Sequence, residues 1–193
     1  MYVRGAKKRE EVWLLDRLEE LGLSDPAFRS RDYVVALDEE SGEKAGFGRL
    51  RVHSAGGEDV ACEVVTVGTL PRWRRQGVGA HVLERLVEQA GDRGFERVYA
   101  LTSEAGYCAQ FGFGRVDEGG LLDPLSTRLE DVREDDPDAL PVACAVADFG
   151  MPDRLRERFK DAESEGDPAG EPERPEDFGI DPESATYKYD TGR

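Results

Sequence analysis

The residues whose types and spacing best suit ligand chemistry lie in segment 71–79, which combines three arginines with two glycines separated by one residue. An apolar run at 64–67 precedes this segment and an amphipathic stretch at 82–87 follows it, so the pattern predicts a strand, a glycine loop and a helix. The glycines permit a tight turn that brings successive N–H groups close to an anion, and the helix start adds free amides at the positive end of its dipole. The pattern favours a pyrophosphate-binding loop; the alternative is a glycine-capped turn before a surface helix.

Two common phosphate loops are absent, because the sequence contains neither Gly-x-x-x-x-Gly-Lys-Ser/Thr nor a Gly-x-Gly-x-x-Gly followed by a ribose-binding acid. What remains, Pro71-x-x-Arg74-x-x-Gly77-x-Gly79, resembles the acetyl-CoA loop of the GNAT superfamily of N-acetyltransferases. A second block, residues 101–113 (LTSEAGYCAQFGF), is similar to the later strand–helix block of that family, which ends in Gly-Phe. Together the two blocks extend the resemblance over about residues 1–125.

The resemblance implies an α/β acetyltransferase-like fold, with a mostly antiparallel, centrally splayed sheet flanked by helices. It also implies that acetyl-CoA is the co-substrate and that its pantetheine arm fills the splay, bonded by backbone groups near Val67 and Thr69. Arg74 would hold the pyrophosphate together with backbone amides of the loop, namely those of Gln76, Gly77, Val78, Gly79 and Ala80. Arg75 and Arg72 either reach the outer phosphate or remain solvated loop charges.

Acetyl transfer to an amine requires a deprotonated amine and a proton for the departing thiolate. Glu63 lies at a position similar to that of the base glutamate in the histone-acetylating branch of the family; it is either the general base or a solvated or ion-paired strand residue. Many members carry their acid, a tyrosine, at the position where this sequence has Cys108, and Tyr107 comes one residue earlier. Either residue could donate the proton, or Cys108 is a packed helix residue and water protonates the thiolate.

The segment 121–128 faintly resembles the stretch that follows in acetyltransferases related to N-acetylglutamate synthase. This resemblance favours a small amino-acid-like acceptor, while a peptide or protein amine stays open. The expected activity is direct transfer of acetyl to a primary amine without a covalent enzyme intermediate. The alternative is a non-catalytic acyl-CoA-binding sensor or scaffold.

The composition of the chain is strongly acidic, with 42 acidic and 26 basic residues, a net charge of -16 and only five lysines. This composition predicts a salt-adapted protein, unless the acidic C-terminal segment alone skews the count. It argues against nucleic acid and anionic membranes as partners. The three cysteines lack metal spacing and the two histidines stand apart, so we expect reduced thiols, no metal site and a cytoplasmic location.

The predicted organisation is an N-acetyltransferase domain over 1–162 and a disordered acidic tail over 163–193, because the tail has ten acids and four prolines but few apolar residues. No segment suits a signal peptide or a membrane span, and the domain could be a monomer or a homodimer. Predicted strands span 2–6, 33–37, 45–52, 60–67, 97–101 and 142–146. Predicted helices span 10–21, 78–90, 104–111 and 153–162.

Overall fold

The computed structural model of the protein describes residues 1–25 and 27–162, and these belong to one compact unit. Its strands are β1 (Tyr2–Gly5), β2 (Tyr33–Leu37), β3 (Lys44–Ala55), β4 (Glu58–Thr69), β5 (Arg97–Thr102), β6 (Gly114–Arg115) and β7 (Leu140–Ala145). Its α-helices are α1 (Glu11–Glu20), α2 (Val78–Asp92), α3 (Ala105–Ala109), α4 (Asp123–Asp135) and α5 (Asp153–Lys160). The predicted tail over 163–193 lies outside the described residues.

The strands form one open sheet in the order β1-β2-β3-β4-β5-β7-β6. Every neighbouring pair is antiparallel except β4 and β5, which run parallel and pair at only two positions. The predicted mixed α/β fold with a mostly antiparallel sheet is therefore confirmed, and so is the meander of β2, β3 and β4.

The two faces of the sheet are covered by different helices because side chains alternate along each strand. On one face, residues of β2, β3 and β4 pack under the apolar stripe of α2, in a core that includes Val34, Ala36, Leu50, Cys62, Val64, Val78, Val82 and Leu86. On the other face, α1 covers a smaller core built from Leu14, Leu18, Tyr33, Val35, Leu37 and Phe47. The sheet thus separates two cores, and β4 contributes apolar side chains to the larger one only.

Two elements were not predicted, the helix α4 and the short edge strand β6. The sequence of α4 is strongly polar, and only Leu125 and Leu129 are buried, so the apolar stripe is narrow. Its available signals were this i,i+4 leucine pair and Pro124 in the first turn, a position where proline favours a helix start. Strands β3 and β4 also extend further toward their shared turn than the apolar runs suggested. None of the described helices is long and apolar enough to span a membrane.

Candidate functional site

A gap opens in the middle of the sheet where β4 and β5 separate. The two strands pair at Glu63 with Tyr99 and at Val64 with Ala100, and the ladder ends there. Beyond this point β3 is the only described strand that pairs with β4, out to Thr69. The predicted splay is therefore present, and Glu63 lies at its base.

The backbone of β4 directs hydrogen-bonding groups into this gap, where no described strand pairs with them. The N–H of Leu70 donates to the carbonyl of Ala45 at 2.9 Å, toward β3. Successive residues of an antiparallel strand direct their backbone groups to opposite edges, so Val67 and Thr69 direct theirs away from β3 and into the gap. An extended chain entering the gap would meet these groups as it would meet a neighbouring strand.

The glycine loop leads from β4 into α2. A short 3-10 turn at Pro71–Trp73 anchors the loop through Trp73, which is fully buried in the main core. Gly77 then adopts a left-handed conformation at φ 80° as the N-cap of α2, and no side chain caps the helix. The amides of the first turn, at Val78, Gly79 and Ala80, therefore remain available to an anion.

Gly79 brings the helix start against the gap. A methyl group placed on Gly79 would lie 3.1 Å from Oγ1 of Thr69 and 4.0 Å from the hydroxyl of Tyr107. The loop, the free edge of β4 and helix α3 thus converge at one place. The convergence gathers four of the predicted residues, Val67, Thr69, Gly79 and Tyr107.

The arginines of the loop point in different directions. Arg74 donates from Nε to the carbonyl of Thr69 at 3.4 Å, which keeps its guanidinium beside the gap. Arg72 is paired with Glu43 at 2.9 Å, and the backbone carbonyl of Arg72 accepts from the side chain of Gln76. Arg75 is exposed, with a left-handed backbone at φ 61°.

The two candidate acids of α3 occupy different surroundings. Tyr107 is 43% exposed, packs edge-on against Phe111 and directs its hydroxyl to the gap. Cys108 is half-buried and packs against the main core. Burial raises the pKa of both groups, with a further contribution from Cys108 for Tyr107 and from Glu104 for Cys108.

Glu63 lies within a buried polar cluster on the face of the sheet opposite α2. It alternates with Cys62 and Val64, which belong to the α2 core, and it is only 1% exposed. Its Oε2 lies 2.6 Å from Nε2 of His53, and its Oε1 lies 3.8 Å from Nε of Arg128 on α4. Glu63 is therefore not a solvated strand residue, and the sequence had indicated neither of its partners.

Strand register explains the contact with His53. In the β3–β4 hairpin Arg51 is opposite Glu63 and His53 is opposite Ala61, so His53 and Glu63 are diagonal neighbours on one face. A register shift between His53 and Ser54 separates this part of the hairpin from the turn at Gly56 and Gly57, so the pairing could not be counted from the turn.

The helix α5 packs directly on the glycine loop, which the sequence did not predict. Leu155 and Phe159 are buried in the main core, and the ring of Phe159 stacks on His81 of α2 at 3.8 Å. A methyl group on Gly77 would lie 2.3 Å from the carbonyl oxygen of Leu155. Gly77 is thus needed both for the turn and for the close approach of α5.

The sequence matches the model of the acetyltransferase (GNAT) family over residues 5–113, more than half of the chain. The protein belongs to the GNAT family. Members of this family are acetyltransferases that use coenzyme A, and the predicted co-substrate class is therefore confirmed at the level of the family. No curated protein matches the sequence significantly.

Several solved structures share this fold. N-acetylglutamate synthase from Neisseria gonorrhoeae, complexed with coenzyme A and N-acetyl-glutamate, matches with a TM-score of 0.61 and 19% identity over 75% of this chain and 35% of its own. This chain therefore spans about a third of that synthase. Rv2747 from Mycobacterium tuberculosis, in complex with CoA and a second ligand, gives a TM-score of 0.62 and 18% identity over 75% of this chain and 99% of its own. Naa50 from Arabidopsis thaliana, bound to a bisubstrate analogue, gives a TM-score of 0.55 and 13% identity over 75% of this chain and 97% of its own.

Proposed function

We propose that the protein transfers an acetyl group from acetyl-CoA to the amine of a small acceptor that carries a carboxylate, by direct attack within the gap between β4 and β5. The observation that carries this proposal is the convergence of the free edge of β4, the uncapped start of α2 and the Tyr107 hydroxyl at Gly79. Acetyl-CoA supplies an activated acyl thioester and leaves as a thiolate. The residues of this chain have to bind it, orient it and move two protons.

The binding role falls to backbone groups. The edge groups of Val67 and Thr69 would pair with the amides of the pantetheine arm. The first-turn amides of α2, reinforced by the helix dipole and by Arg74, would hold the phosphates. Gly79 keeps the passage between these two regions open, because a side chain there would meet Thr69.

Tyr107 is the better placed proton donor. Its hydroxyl reaches the gap, whereas Cys108 packs toward the core. Burial raises the pKa of Tyr107 above its ordinary value near 10, so the phenol is protonated at neutral pH and can donate to a thiolate.

Glu63 is the proposed proton acceptor, acting together with His53. A separation of 2.6 Å between Nε2 and Oε2 requires a proton between the two atoms, and the Nε2–H tautomer of His53 would supply it. Because Glu63 is buried, the proton of the amine reaches it through a water molecule or through His53. Glu63→Gln keeps the shape of the side chain and is expected to lower kcat about 10²–10⁴-fold with CoA affinity retained. A wild-type kcat in this variant would make Glu63 structural.

The carboxylate of the acceptor would pair with Arg128. The Nε of Arg128 is buried and makes no hydrogen bond with any described residue, and the side chain lies on the same face as Glu63. An incoming carboxylate would share the guanidinium of Arg128 with Glu63, whose Oε1 lies 3.8 Å from Nε, and this supports an amino-acid-like acceptor over a plain amine.

The burial of Glu63 also favours a second candidate, a module that binds acyl-CoA without catalysis. A base with both carboxylate oxygens engaged is less available to a substrate than an exposed one. Release of free thiol from acetyl-CoA separates the two functions when it is followed across a panel of amino acids and their matched amides. Transfer to amino acids but not to amides supports the proposal, and CoA binding without thiol release from any amine supports the binding module.

A further inference from the structure

The helix α5 presents arginines on both sides of its buried stripe. Leu155 and Phe159 face α2, while Arg154 and Arg158 lie one turn apart on the side toward α3 and the glycine loop. Arg156 lies on the other side of the stripe and pairs with Glu84 of α2 at 2.8 Å. Residues of the same type thus face two different environments on one short helix.

Arg154 and Arg158 are directed toward the mouth of the gap, the end at which the glycine loop and α3 meet it. Arg154 donates to the side-chain oxygen of Gln110 at the end of α3. Burial raises the pKa of Tyr107 and the positive charge of Arg154 opposes this shift, so the guanidinium acts on the hydroxyl that lies beside Gly79. Arg158 donates to the backbone carbonyl of Arg75 at 3.4 Å, directly in the glycine loop.

The charges of these two arginines are not neutralised by the described residues. Both donate to neutral oxygens, and no carboxylate in ranges 1–25 and 27–162 lies within ion-pair distance of either. Arg158 contacts the loop that carries Arg74 and Arg75, so positive charge is concentrated on this side of the gap in a chain whose net charge is -16. Exposed guanidinium groups facing an uncapped helix start suit a phosphate group.

We propose that Arg154 and Arg158 of α5 form a binding site for a phosphate group of the CoA moiety, outside the region matched by the family model. This inference rests on the proposed function, because it assumes that CoA occupies the gap. The phosphate is either part of the diphosphate, which would lie at the start of α2, or the 3′-phosphate of the ribose. Helix α5 is then part of the co-substrate site and not only a cover over α2.

Titration calorimetry with CoA and with dephospho-CoA tests this site in the full chain. The variant is the double substitution Arg154→Gln and Arg158→Gln, and the matched control is Arg156→Gln on the same helix. Charge-assisted hydrogen bonds of this kind predict that the double variant binds CoA about 10–100-fold more weakly than wild type, while the control changes by less than about two-fold. Melting temperatures without ligand verify that both variants are folded.

The two ligands distinguish the source of the phosphate. Weakened binding of CoA with unchanged binding of dephospho-CoA assigns the arginines to the 3′-phosphate, and weakened binding of both assigns them to the diphosphate. Double-variant binding equal to that of the control, or tighter, overturns the inference, since α5 would then be neutral or obstructive. Failure of the wild-type protein to bind CoA would overturn the proposed function as well, which separates the two failures.

Discussion

Among the described glycines, Gly77 is the one at which an added methyl group would make the closest contact, because α5 packs on the glycine loop. A methyl group at Gly77 would lie 2.3 Å from the carbonyl oxygen of Leu155, about 1 Å inside the closest comfortable separation. That oxygen belongs to the backbone of α5, so relief requires the helix to move and not merely a side chain to rotate.

Gly94→Ala is a matched control for this change. Gly94 has φ +84° against +80° for Gly77, and a methyl group there would meet no atom of residues 1–25 and 27–162 within 4 Å. Both variants force alanine into a left-handed conformation at about 1–2 kcal/mol, so the difference between them isolates the contact with α5.

The size of that difference follows from what α5 buries. Leu155 and Phe159 are each 7% exposed, and a fully buried apolar side chain of this size stabilises the fold by about 1.5–3 kcal/mol. Partial displacement of both should cost Gly77→Ala about 2–4 kcal/mol beyond Gly94→Ala. Urea unfolding of the full-length variants measures the two free energies of unfolding. Equal losses in the two variants would refute the packing of α5 on the loop.

Three further predictions concern the acid, a buried ion pair and the charge of the chain. Tyr107→Phe is expected to lower kcat about 10²-fold or more and Cys108→Ala to leave it nearly unchanged, so steady-state rates with the reverse order would move the acid to the cysteine. Arg4 lowers the pKa of Glu10 to about 2 through paired hydrogen bonds at 2.7 and 2.8 Å; the carboxylate therefore adds stability above its ordinary pKa of 4.5 that is lost as pH falls toward 2. Glu10→Gln should lower the free energy of unfolding, measured in urea at pH 7, by about 2 kcal/mol after discounting for the partial exposure of Arg4. The loss should be much smaller near pH 2. A loss that does not change with pH would contradict the ion pair. Melting temperatures of the full chain and of a chain ending at Ala162 should both rise between about 0.1 and 2 M potassium chloride, and a flat response of the shorter chain would assign the acidity to the C-terminal segment.

The glycine loop and α2 could be predicted because their signals are local. Gly77 and Gly79 fix the turn, and the apolar stripe from Val78 to Ala90 fixes the helix, with no need of distant residues. Glu63 could be placed on the correct strand for the same reason. The partners of Glu63 could not be predicted. Contact with His53 depends on the register of the hairpin, and contact with Arg128 depends on a helix that has few apolar residues.

The position of α5 illustrates the other limit of sequence reasoning. Its helical pattern was readable, and its range was predicted within two residues at one end. However, the spacing of Leu155 and Phe159 predicts only that one face of the helix is buried. It does not indicate which surface covers that face. The contact between Leu155 and Gly77 joins residues far apart in sequence, and it becomes visible only when the whole fold is assembled.

The most direct test of the central claim is a crystal structure of the full-length protein with CoA. We expect the pantetheine arm to lie between β4 and β5, bonded to Val67 and Thr69, and the diphosphate to lie against the amides of Val78, Gly79 and Ala80. CoA bound elsewhere on the molecule, or bound only after α5 has left the glycine loop, would contradict this expectation.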